Sequence, residues 1–141
     1  MSGDYYRVLV RRARAFLVEA RRLLEEGEPD LAAFSAEQAV QLRLKALLFR
    51  LTGSVPRSHS LRLLLGRLRE ALRVADLEGL ALLVEKETAR LRAGLGELEE
   101  AYTVARYGAV EYSVEEAAEL VAVAEELWRL LEEVERQAAE G

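Results

Sequence analysis

Three groups of side chains have the types and spacing to do chemistry. In the run 33–50, AFSAEQAVQLRLKALLFR, the residues Glu37, Gln41 and Lys45 recur every four positions with Gln38 beside them. On a helix that spacing gathers a carboxylate, two amides and an ammonium into one polar ridge, suited to a hydrogen-bonding ligand or a facing helix. His59 is the only imidazole in the chain, and imidazole is the group that holds and releases a proton near neutral pH. Arg106 stands between Tyr102 and Tyr107. A guanidinium there can pair with a phosphate while a tyrosine stacks on a base.

Each group also has a plain structural use. The ridge can face water, although Phe34, Leu42 and Leu48 flank it, and an amide-rich strip between apolar walls suits an interface or a ligand better. His59 can hydrogen-bond a neighbouring loop or the ridge. Arg106 can answer the carbonyls at a helix C-terminus and an acidic neighbour such as Glu37.

What is missing narrows the chemistry. The chain has no cysteine and one histidine, so it offers no disulfide framework, thiolate site or histidine cluster. No resident metal or cofactor is expected.

The elements that must position these residues read as five helices. Leu9, Val10, Ala13, Phe16, Leu17, Ala20, Leu23 and Leu24 recur at three- and four-residue spacing, with Asp4 placed to cap the start and Gly27-Glu28-Pro29 to end it. Asp30 is expected to cap a second helix reaching about Leu51, where Gly53 and Pro56 follow. In it Ala36, Val40, Leu44, Leu47 and Leu51 span an arc of roughly 80°, the core stripe, while Arg43 and Arg50 form a second polar edge. Ser58 is expected to cap a third helix ending near Val74. A fourth pattern runs from Leu77 to Ala105 and is expected to kink at Gly94 and Gly96. Ser113 and Glu116 form a capping box ahead of a last helix that runs almost to the end of the chain. The pattern predicts an all-α, up-and-down antiparallel bundle, one domain over 1–141.

Charge is divided along the sequence. Residues 1–75 hold 14 Lys and Arg against 8 Asp and Glu, whereas residues 76–141 hold 6 against 17. In a bundle the halves pack together, so mutual neutralisation competes with a nucleic-acid footprint. Arg7, Arg11 and Arg14 give the first helix a basic edge that can steer RNA or an acidic partner, or be satisfied by the last helix. Charges interrupt the N-terminal apolar residues, and no stretch approaches roughly 18 uncharged apolar residues, so a cytoplasmic protein without a membrane span is expected. The absence of Asn and the single Met point towards a thermophile, whereas 18 Arg among 20 basic residues depart from the usual Lys enrichment.

The order of these signals resembles the HEPN domain: a helix-ending glycine, DLAAFSAEQA at 30–39, LKALL at 44–48, Gly53, Pro56, SHSL at 58–61, then Tyr102, Arg106 and Tyr107 before a final helix. The resemblance spans nearly the whole chain. It implies a five-helix bundle that forms homodimers and is often encoded beside a small nucleotidyltransferase. Some branches are RNA-cleaving toxins with that partner as antitoxin, and others bind nucleotides without cutting.

The cleaving branches carry Arg, four to six residues, then His. Here Arg57 precedes His59 by one intervening residue and Arg50 by eight, and no histidine follows Arg106. General acid–base help contributes typically about 10²–10⁴ in rate, and the motif that supplies it is not found. The reading is therefore a non-catalytic binding module. It is a homodimer taking a nucleotide or RNA, or a small nucleotidyltransferase, through Glu37, Gln38, Gln41, Lys45, His59, Tyr102, Arg106 and Tyr107. The alternative is a divergent metal-independent ribonuclease toxin using Arg106 and His59 across the dimer.

Overall fold

The computed structural model describes residues 2–109 and 111–140. Six helices follow one another: α1 Ser2–Glu25, α2 Pro29–Thr52, α3 Leu61–Val74, α4 Glu78–Arg90, α5 Arg92–Tyr107 and α6 Val114–Glu140. There is no strand among the described residues, and the arrangement is an all-α antiparallel bundle.

The second helix is the hub, packed against α1, α3, α5 and α6. Ala32, Ala33, Ala36 and Ala39 on α2 and Ala13 and Ala20 on α1 are wholly buried, and such small side chains let helix backbones approach closely. Leu44, Leu47, Leu64, Leu65, Leu98, Leu120 and Leu127 fill the centre. Burying a leucine contributes about 1.5–3 kcal/mol, so this cluster outweighs any single surface contact.

The hub position decides against the alternative that the ridge of α2 faces water. Glu37 is 0%, Gln41 3%, Arg43 4% and Lys45 8% exposed. A helix with neighbours on nearly every side has no solvent face to give them. Periodicity located the bands, but not what covers them.

Helix starts differ from the expected caps. Asp4 lies inside the first turn of α1. Pro29 leads α2, whose N-cap residue is Glu28 without a side-chain bond, in keeping with proline at a first helical position. Asp30 instead accepts a 2.7 Å bond from the Tyr112 backbone N–H, tying the α5–α6 connection to the start of α2. Ser60, not Ser58, caps α3 by accepting from Leu63 N–H, while Ser58 Oγ accepts from Ser60 N–H. The Ser113–Glu116 box forms as expected, at 2.8 and 3.0 Å. Gly53 ends α2 at φ 84°, a left-handed cap that favours glycine.

The fourth pattern is two helices, broken at Leu91. Gly94 lies inside α5, where a Cβ would stand 2.7 Å from Val123 Cγ2. Its absence lets α5 close on α6, so this glycine serves packing and not the break.

Arginines of the first half meet glutamates of the second: Arg14 with Glu132, Arg21 with Glu125, Arg62 with Glu99, and both Arg43 and Arg50 with Glu135. The charge division along the sequence is thus partly neutralised in space. Arg14 and Arg21, rather than Arg11, make the contacts to α6.

Candidate functional site

Three segments meet here: the turn before α3, the C-terminal half of α5, and the Phe34–Gln41 stretch of α2. The Glu37 carboxylate accepts from Gln38 Nε2 at 2.8 Å and from Gln41 Nε2 at 2.7 Å. Gln41 Oε1 lies 2.9 Å from His59 Nδ1. The ridge is therefore a buried chain of hydrogen bonds that ends on an exposed imidazole.

Burial pushes the Glu37 carboxyl up to about 7. The two glutamine bonds and the charges of Lys45 and Arg106 oppose it without winning. Burial likewise lowers Lys45, against the pull of Glu37. The desolvation cost of each charged form is the dominant effect in both.

Above this chain sits an aromatic column. The His59 and Tyr102 rings stack with centroids 4.6 Å apart and planes 16° from parallel, and Tyr102 lies 6.4 Å from Phe34. The Arg106 guanidinium lies over Tyr102 at 4.4 Å, Tyr107 at 4.9 Å and Phe34 at 5.1 Å. Its Nε donates to the Tyr102 carbonyl at 2.8 Å, one turn back on α5. Tyr107 itself is 75% exposed.

All eight residues singled out from sequence thus lie in one region, with Lys45 reaching it only through its charge on Glu37. Arg106 does answer a helix carbonyl, the structural use open to it, but among the described residues it forms no salt bridge. A guanidinium fixed by one hydrogen bond and three rings keeps its Nη groups for another partner. Each such ring contact is worth about 0.5–1 kcal/mol at an exposed site.

In the sequence Phe34 reads only as a wall of the ridge. Its place four residues before Gln38 is the available signal for its contact with Arg106. A second polar centre carries no local signal, because its acceptor is 92 positions from Arg43. Glu135 on α6 accepts from Arg43 Nη2 and from the Tyr6 hydroxyl, each at 2.6 Å, and pairs with Arg50 at 3.5 Å. Burial pushes Glu135 up, but the Tyr6 bond and the two arginines win and hold it below its ordinary value. Arg43 Nε and Nη1 are buried without a hydrogen-bond partner among the described residues, and its guanidinium lies 5.6 Å from the Trp128 ring.

An all-α bundle with a polar, aromatic-walled site and no cluster of metal-ligating residues among those described defines a class of helical domain. Within that class, the family model of the HEPN domain matches residues 6–134. The chain belongs to the HEPN domain family. It is similar to the crystal structure of TT1696 from Thermus thermophilus, with 26% identity over 92% of this chain and 97% of that one and a TM-score of 0.63. A search of curated proteins gave no match. Among the described residues no helix is long and apolar enough to cross a membrane.

Proposed function

We propose that the chain acts as one domain over 1–141, a non-catalytic, cytoplasmic binding module. It dimerises and takes a nucleotide at the His59–Tyr102–Arg106 column. A small nucleotidyltransferase is its partner in a two-component, toxin–antitoxin-like system. The observation that carries the reading is Arg106, held over three rings without a salt bridge among the described residues. An immobilised guanidinium beside stacked aromatics matches phosphate and base together. Glu37 and Gln41 lie behind the column as support and are too buried to meet a ligand directly.

Solution mass with and without a co-expressed nucleotidyltransferase, with thermal shift against a nucleotide panel, tests the reading. A dimer that binds the partner and is stabilised by nucleotide supports it. A monomer indifferent to both removes it.

A ribonuclease is the second reading, favoured by the exposed ring of His59. Incubating RNA with the protein and with His59→Ala decides it, since equal background cleavage by both eliminates it.

A further inference from the structure

Two hydrogen bonds decide which way the Gln41 amide points. An ionised carboxylate only accepts, so the Gln41 group 2.7 Å from Glu37 Oε2 is its NH2. The Gln41 oxygen is thereby turned to His59 Nδ1, 2.9 Å away. A carbonyl oxygen also only accepts, so Nδ1 must carry a proton. In a neutral imidazole one nitrogen is protonated, which leaves Nε2 as a bare lone pair.

Nε2 has no protein partner among the described residues. The ring borders a surface groove of about 310 Å³ whose walls include Glu99, Glu100, Tyr102 and Thr103. Glu99 accepts from Ser60 Oγ at 2.8 Å, Arg62 N–H at 3.0 Å and Arg62 Nη2 at 2.8 Å, which fixes its carboxylate at the groove's edge. The groove is rich in acceptors. Arg106, with its unused Nη groups, lies one turn beyond Tyr102 on α5, so donor-seeking and anion-seeking groups stand side by side.

We propose that Gln41, held by Glu37, is a positioning residue that fixes His59 as its Nδ1–H tautomer, and that the bare Nε2 selects a ligand group that donates a hydrogen bond. The exocyclic amine of a nucleobase is such a group. The ligand half rests on the nucleotide reading above; the tautomer half stands on the chain alone. The lock requires ionised Glu37, which Lys45 on α2 and Arg106 on α5 favour and burial opposes, so it sets as pH rises above about 7. His59 itself faces Gln41, Tyr102 and the carboxylates of the groove.

With one histidine in the chain, a long-range ¹H–¹⁵N spectrum at pH 8.5 reads this ring without ambiguity. The wild type is expected to be mainly Nδ1–H. Glu37→Gln supplies an amide that either donates to or accepts from Gln41, and Gln41→Met removes the oxygen. Both variants are expected to shift the ring towards the Nε2–H form that free imidazole prefers. In the same variants, titration with adenosine monophosphate and with purine riboside monophosphate, which lacks the 6-amine and carries no base N–H in its place, reads the selectivity. The wild type is expected to favour the amine by about 3- to 10-fold, the equivalent of one neutral hydrogen bond, and both variants to lose that preference. A wild-type ring in the Nε2–H form, or a tautomer unchanged in both variants, overturns the positioning role. An Nδ1–H ring with equal binding of both nucleotides overturns the selection while nucleotide binding stands. Binding of neither nucleotide overturns the nucleotide reading and the ligand half with it, and the spectrum still judges Gln41.

Discussion

His59 and Tyr102 stack at 4.6 Å, and that contact joins the turn after α2 to the C-terminal half of α5. Tyr102 in turn bears the Arg106 guanidinium at 4.4 Å, so one ring supports both polar groups. Tyr102→Ala is expected to weaken nucleotide binding by about 1–3 kcal/mol, the scale of one stacking partner, while Tyr102→Phe keeps the ring and the affinity. Isothermal calorimetry on the two variants separates stacking from the hydroxyl.

Glu37 carries a pH signature. Its folded value of about 7 lies above its ordinary 4.5, so between those values the folded chain binds the extra proton. The stability this gives is fully present below about 4.5 and is lost as pH rises through 7, about 3 kcal/mol across the window. Glu37→Gln cannot ionise. Urea unfolding of both proteins at several pH values is expected to show the variant gaining on the wild type as pH rises from 5 to 8.

Glu135 behaves in the opposite sense. Its value is held below the ordinary one, so its stabilisation is present above about 4.5 and disappears as pH falls through the lower folded value. Glu135→Ala leaves the buried Arg43 unpaired and the Tyr6 hydroxyl without its acceptor, an expected cost of about 3–5 kcal/mol. Glu132→Ala, removing the exposed 3.8 Å pair with Arg14, is expected to cost less than about 1 kcal/mol. Denaturant midpoints of the two variants check the contrast.

The two glycines of α5 are expected to diverge. Gly96→Ala meets nothing within 4 Å and is expected to stabilise by up to about 1 kcal/mol through helix propensity. Gly94→Ala drives a Cβ to 2.7 Å from Val123 Cγ2. Valine is stiff about χ1, and overpacking of this kind costs about 1–3 kcal/mol. Val123→Ala is expected to relieve it, which thermal melts of the double variant show.

These outcomes also mark how far the sequence could be read. The stripes of α1, α2, α3 and α6 were legible because each is one periodic run with a turn signal at its end. The Leu91 break was not, because phase continues through it, and of the two glycines that drew attention Gly94 serves α5–α6 packing while Gly96 faces open space. The eight candidate residues stand out by type and spacing and the fold gathers them, yet how fully the ridge is buried was not legible, since wheel geometry does not count a helix's neighbours. Glu135 escaped too: α6 is crowded with glutamates, and only the fold picks out the one facing Arg43.

The central claim is that Arg106 receives an anionic ligand at the aromatic column. Calorimetric titration of the wild type, Arg106→Lys and Arg106→Gln with a nucleoside monophosphate tests it directly. Saturable binding by the wild type, weakened about tenfold or more in Arg106→Gln and only partly restored in Arg106→Lys, is the expected result. Wild-type binding that Arg106→Gln leaves unchanged, or no binding at all, would contradict it.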